Sequence, residues 1–152
     1  LAAMEHNFMS PIRLAREVVP YMKQQRWGRI INLIPTQVKQ AVDGQALAVS
    51  SELALLGYSK MLSNELAAFN ITVNNVLAGP VKTDFLTATL ETRAKEAGRS
   101  AEELIKETTE GIPMRRLGKP EEVGDLVAFL ASDEAAEITG QALNVNAGSA
   151  LS

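Results

Sequence analysis

GRIINLI, from Gly28 to Ile34, is a glycine followed by a short, β-branched and almost wholly apolar run. It lacks the alternation of a half-solvated strand, and its pattern is that of a strand buried on both faces of a parallel sheet. Before it, Phe8, Ile12, Leu14, Ala15, Val18, Val19 and Met22 recur at three-to-four spacing, which predicts an amphipathic helix over Met4 to Gln25. After it, Pro35 to Gly44 reads as loop. A second helix is predicted from Gln45 to Phe69, with Ala46, Ala48, Ala54 and Gly57 as small surfaces where another helix can approach closely. Ile71, Val73, Val76 and Leu77 give a second strand, ended by Gly79-Pro80. Thr83 to Thr109 is helix-prone and highly charged, a surface stretch of one or two helices. Pro120 opens another helix to Ser132, with Glu121 and Glu122 complementing its positive end. Ala142, Leu143, Val145 and Ala147 suggest a last short strand. Helix and strand thus alternate three times, the signature of a doubly wound, Rossmann-type parallel sheet in a three-layer α/β/α sandwich. Three strands are few for such a sheet, and the run Ile30 to Ile34 has no polar face suited to an edge, so another strand is expected beside it.

The chain has 152 residues, 46% hydrophobic and 22% charged, enough for the core of a single domain spanning residues 1–152. Fifteen basic residues face 18 acidic ones, a net charge of −3 with no tight Lys/Arg cluster, which argues against a nucleic-acid partner. No cysteine is present, so disulfides, thiol catalysis and thiolate metal sites are excluded, and a reducing, cytoplasmic setting is expected. No apolar run approaches the ~20 residues that span a bilayer, and no signal peptide is evident, so no membrane association is expected.

Four segments, GRIINL (Gly28 to Leu33), NITVNNVLAGPVKTD (Asn70 to Asp84), GKPEEVGDLVAFLASDEA (Gly118 to Ala135) and ITGQALNVNAG (Ile138 to Gly148), stand in one order and spacing. In this the chain resembles the short-chain dehydrogenases/reductases. The resemblance implies that it supplies the fifth, sixth and seventh strands of a seven-stranded sheet. Roughly a hundred upstream residues, at ~30 per βαβ unit, would carry the first four strands and the Gly-rich turn that receives a dinucleotide pyrophosphate. No such turn occurs here, so dinucleotide binding by this chain alone is expected to be poor.

Family members move a hydride between NAD or NADP and a carbonyl or alcohol. They use a Tyr acid/base, a Lys four residues on that lowers the Tyr pKa and holds the ribose, a Ser that polarises the substrate oxygen, and an Asn that supports a water relay. Carried over one position at a time, Asn7 in HNFMSPIRL matches the Asn, where a helix-interior polar role is the alternative. Pro35 stands at the Ser position, with the hydroxyl of Thr36 one residue on. Leu55 and Gly57 set the register that puts Ala48 at the Tyr position and Glu52 at the Lys position. Tyr58 and Lys60 are only two apart, so they point to different sides of the helix, and Tyr58 reads as a packing or interface residue. Ser50 and Ser51 are hydroxyls near the vacated site that read as ordinary helix residues. On the cofactor side, Gly79, Val81 and Thr83 match positions that turn the backbone and contact the nicotinamide end. Thr83 or Asp84 as a helix N-cap is the alternative there. Asn146-Ala147 replaces a usual Asp-Gly. His6, the single histidine, has no companions for a metal site.

Two functional readings follow. The chain is the C-terminal part of an NAD(P)-dependent oxidoreductase, inactive by itself, or it is a non-catalytic relative serving assembly or partner binding. By resemblance, the helices over 4–25 and 45–69 form a homo-oligomer interface. The missing N-terminal half, or another partner strand, is expected beside 30–34.

Overall fold

In the computed structural model, which describes residues 1–40 and 43–150, the apolar run after Gly28 is strand β1 (Gly28–Pro35). It pairs in parallel with β2 (Ile71–Ala78), Gly28 opposite Ile71 and Pro35 opposite Ala78. β2 pairs in turn with β3 (Ala142–Val145), from Asn75 opposite Ala142 to Ala78 opposite Val145. The order β1-β2-β3 puts β2 in the middle. Ile71, Val73, Val76 and Leu77 are accordingly at most 1% exposed.

Ala2 to Gln25 runs helically as α1 (Ala2–Met4), a π turn (Glu5–Met9) and α2 (Ser10–Gln25). α2 and α3 (Ala46–Leu66) lie on one face of the sheet, where Leu62, Leu66, Ile71 and Val73 pack with Val19 and Met22, and Leu55 packs with Ile34 and Leu77. The other face is covered by α6 (Pro120–Ala131), whose Leu130 meets Val76, with Ile31, Val123, Val127 and Leu143 around them. This is the three-layer parallel α/β arrangement that the alternation of elements predicts. The charged stretch forms two helices, α4 (Asp84–Ala97) and α5 (Ala101–Glu110), packed on each other. The hydroxyl of Thr83 accepts the Leu86 N–H at the start of α4, and Ser100 and Glu103 form a reciprocal capping box at the start of α5.

Polar side chains fix the register that the apolar ones leave open. Asn74, fully buried on β2, donates to Ile138 O at 2.7 Å and accepts the Gln141 N–H at 3.1 Å. On the opposite face Asn32 donates to Asn75 Oδ1 and Ser59 Oγ, tying β1 to β2 and to α3. Such buried amides stabilise only when satisfied, and each of these is.

Three expectations need correction. β1 is not buried on both faces: Leu33 is 62% exposed, because α6 covers Ile31 but stops short of it. Pro35 is the last residue of β1 rather than loop, and Thr36–Lys39 is a 3₁₀ turn; the predicted loop positions 41 and 42 lie outside the described residues. The last strand ends at Val145, and Ala147 sits at φ 52°, in the left-handed region that disfavours a Cβ. Asn146 holds that turn, accepting the Gly148 N–H and donating to Ala150 O. Ala147→Gly should therefore raise unfolding stability by roughly 1 kcal/mol, read from urea melts.

Candidate functional site

β2 is the only strand paired on both sides among the described residues, which leaves the outer edge of β1 open. A groove of about 650 Å³ follows that edge, walled by α2 and floored by β1. Pro11, Leu14, Val18, Ile30 and Leu33 give it apolar sides, and its upper end, at the carboxyl terminus of β1, gathers Asn7, Pro35 and Glu52. In open α/β sheets ligands bind beyond the carboxyl ends of strands, so this end of the groove is the candidate site.

Asn7 lies within the π turn, an irregularity frequently found at functional sites. Its amide donates to Ser51 Oγ at 3.1 Å and reaches Glu52 Oε1 at 3.5 Å, joining α3 to the turn. The Ser51 hydroxyl is fully buried and donates to Ala48 O, so it is an internal strut of the helix. Glu52, half-buried one turn beyond Ala48, has its carboxyl pushed above the ordinary value by burial. Pro35, the position expected to match the family serine, ends β1 with a ring and no hydroxyl. Thr36 does not replace it, because its hydroxyl is buried and donates to Leu77 O across the sheet. Tyr58 packs edge-on against Phe8, ring centroids 6.4 Å apart. Burial first, and then the Glu65 carboxylate, hold its phenol above its ordinary value, the reverse of an activated acid/base. His6 is exposed, and no cluster of metal-ligating side chains exists among the described residues.

The Gly79, Val81 and Thr83 positions lie elsewhere, past the carboxyl end of β2. A Cβ on Gly79 would stand 2.7 Å from Asn146 Cα, so only glycine lets the two backbones pass. Val81 forms a parallel bridge with Gly118 in which Lys82 N–H and Pro80 O make the bonds, leaving Val81's own N–H and C=O outside the bridge. Val81 also lines a second cavity, of about 410 Å³, with Arg116, Glu122 and Asn146. The π turn and the bridge to Gly118 were not read from sequence. The first leaves no compositional mark, and the second joins residues far apart in the chain.

Arg116 grips Glu122 by two bonds, of 2.8 and 2.6 Å, and Glu122 also accepts the Lys119 N–H. Chiefly through Arg116, its carboxyl is held down at about 2. A carboxyl depressed in the folded state stabilises above its unfolded value, and that support is lost as pH falls toward about 2. An NMR titration should place Glu122 at about 2, and Arg116→Ala should return it toward the ordinary carboxylate value of 4.5.

The family model for enoyl-(acyl carrier protein) reductase matches residues 1–150. The chain is 39% identical over 145 residues to the 3-oxoacyl-[acyl-carrier-protein] reductase FabG of Escherichia coli (strain K12), covering 95% of this chain and 55% of that protein. It is 33% identical to nodulation protein G of Azospirillum brasilense, over 97% of this chain and 55% of that one. Among solved structures, YwfH, an NADPH-dependent reductase involved in bacilysin biosynthesis, superposes with a TM-score of 0.91 at 34% identity, covering 98% of this chain and 57% of that chain. The chain thus spans about half the length of the relatives it matches. No helix among the described residues is long and apolar enough to cross a membrane.

Proposed function

This chain belongs to the short-chain dehydrogenase/reductase family, and from that premise we propose that it is the substrate-side part of an NAD(P)-dependent carbonyl or alcohol oxidoreductase, without turnover as this chain alone. One contrast carries the reading: the cofactor-side turn keeps Gly79, Val81 and Thr83, although its usual Pro-Gly is altered to Ala78-Gly79-Pro80, while the proton-transfer positions are Pro35, Ala48 and Glu52. Gly79 keeps its close approach to Asn146, and the main-chain groups of Val81 stay outside the Gly118 bridge. Those groups, with Thr83, would hold the nicotinamide end of NAD or NADP. When bound, the dinucleotide supplies the hydride. Asn7 is the remaining catalytic candidate, held by Ser51 and Glu52. It is a donor to a substrate oxygen or water and cannot itself deliver a proton near neutral pH.

The open edge of β1 supports a second component, an upstream half whose last strand pairs beside residues 30–34. Leu14 and Tyr21 on α2, with Leu47, Leu53 and Met61 on α3, are exposed and apolar, which supports homo-oligomer assembly through these helices. A sedimentation run at micromolar concentration should show a dimer, and a monomer would sink that part. The same helices would serve the alternative function, a non-catalytic assembly module, which the loss of all three proton-transfer groups favours.

The test is a chimera in which the upstream half of E. coli FabG precedes this chain. NADPH fluorescence should titrate to saturation with the chimera and not with the chain alone, and neither should reduce ethyl acetoacetate. Pro35→Ser, Ala48→Tyr and Glu52→Lys together should then bring turnover to the chimera. Turnover by the unmodified chain would overturn the proposal, and absence of NADPH binding by a folded chimera would favour the assembly module.

A further inference from the structure

Val81 owes its place to Gly118, which lies on a segment outside any helix or longer strand. Gly118 N–H donates to Pro80 O and Gly118 O accepts the Lys82 N–H, both at 2.9 Å, so both backbone groups of Gly118 are spent on the turn after β2. Upstream, the segment is next anchored where Met114 N–H donates to Ala147 O; downstream, it enters α6 at Pro120. Between these points the Glu122 carboxylate closes a ring around Gly118. From one side Arg116 Nη1 donates to Glu122 Oε2 at 2.8 Å and Nη2 to Oε1 at 2.6 Å. From the other side the Lys119 N–H donates to Oε2 at 2.8 Å. Arg116 Nη1 also reaches Leu117 O at 3.2 Å, so the guanidinium grips the chain that leads into the bridge as well as the carboxylate. Oε2 stands 3.9 Å from where a Cβ on Gly118 would be, which draws the ring close about that residue. Glu122 itself is in the first turn of α6, and α6 is seated on the sheet by Val123, Val127 and Leu130. The placement of the sheet is thus passed through α6, Glu122 and Arg116 to Gly118, and from there to Val81.

We propose that Arg116 and Glu122 are positioning residues for the dinucleotide: their pair holds Gly118, and through it the main-chain groups of Val81 that meet the nicotinamide end. Neither side chain need touch cofactor or substrate. A guanidinium fork on a carboxylate suits this task because it fixes direction as well as distance, which the point charge of a lysine does not. The two side chains are 41% and 37% exposed, so water screens much of their attraction, and what the pair supplies is geometry more than stability. Small displacements of a group that orients a reactant are costly to its function, so a support of this kind acts without contact. The proposal deepens the oxidoreductase reading and rests on it for the ligand that Val81 meets.

The test uses two conservative variants, Arg116→Lys and Glu122→Gln, each checked by its thermal melt. Glu122→Gln can still accept the Lys119 N–H, so the start of α6 survives while the ion pair is lost. Arg99→Lys, which loosens the exposed Arg99–Glu107 pair, is the control. In the 152-residue chain, amide hydrogen exchange should quicken about tenfold at Gly118 and Lys82 in both variants and stay unchanged at Gly140, whose N–H bonds to Val73 O. In the chimera carrying the upstream half of FabG, both variants should weaken NADPH about tenfold and leave 2′-phospho-ADP-ribose, which lacks the nicotinamide, bound as before. Arg99→Lys should change none of these. A variant that merely loosened the fold would weaken both ligands alike. Unchanged exchange at Gly118 and Lys82, or equal losses for the two ligands, would overturn the proposal. Absence of NADPH binding by the folded, unsubstituted chimera would instead sink the oxidoreductase reading, with the exchange at Gly118 still deciding whether the pair holds the bridge.

Discussion

Asn74→Leu is expected to destabilise the fold by about 2–4 kcal/mol although it replaces a buried side chain with one of similar size and greater hydrophobicity. The reason lies in what Asn74 holds. Its amide spans from β2 to the segment that leads into β3, giving Ile138 a donor and Gln141 an acceptor. A leucine fills the space and answers neither group, and an occluded donor or acceptor left without a partner costs about 1–3 kcal/mol. For a chain of this length the loss should appear as a fall in melting temperature of about 10 °C. Asn75→Leu on the facing side is the comparison, since it frees Asn32 and removes one longer bond to Gln141 O, an acceptor that the Asn75 backbone N–H still fills. A change below about 1 kcal/mol for Asn74→Leu would show that packing alone seats β3.

Gly79→Ala should cost about 1–3 kcal/mol, the range for forcing one extra carbon into a filled space. The added Cβ would meet Asn146 backbone at 2.7 Å, and backbone cannot swing aside as a flexible side chain does. Relief requires the turn after β2 to separate from the end of β3, breaking the bond from Gly79 N–H to Val145 O. Gly124→Ala is the control. It lies inside α6 with open space around its Cβ position, and it should stabilise by up to about 1 kcal/mol through helix propensity. If both substitutions behaved alike in urea melts, the close approach at Gly79 would have no energetic meaning. Because the same turn positions Val81, Gly79→Ala should also weaken NADPH binding by the chimera.

Most of the sheet was legible because its strands are apolar in runs too short for helices and its helices are apolar on one stripe. GRIINLI and the Ile71 to Leu77 run announced themselves in this way, and the Pro120 helix showed its start in Pro and paired Glu. Local chemistry also offered Thr83 or Asp84 as a cap, and the structure shows that Thr83 is the one. What escaped is non-local. No pattern around Asn7 foretold a π turn, since that turn answers to the packing of Asn7 on Ser51 and Glu52 across the fold. Leu33 was read as buried because a strand's composition says which faces suit burial but not how far a covering helix extends. The reading of Pro35, Ala48 and Glu52 as the family's catalytic positions rests on register alone. The consequence of the last, a carboxylate without a counter-ion among the described residues, needed the partners of its neighbours.

The order of the strands also bears on how the chain reaches this state. Asn32 must find Asn75 across 43 positions, and Asn74 must find Gln141 across 67. Every rung of the sheet is therefore a distant encounter, and topologies of this kind fold slowly because chain entropy is lost before the pairing rewards it. β1 forms its outer rung with backbone groups facing outward and Leu33 uncovered, so the interval before assembly is also one of exposure to neighbouring molecules. Refolding yield should thus depend on protein concentration more steeply than for a helical bundle of equal length, and the edge that invites a partner strand is the place where unproductive association begins.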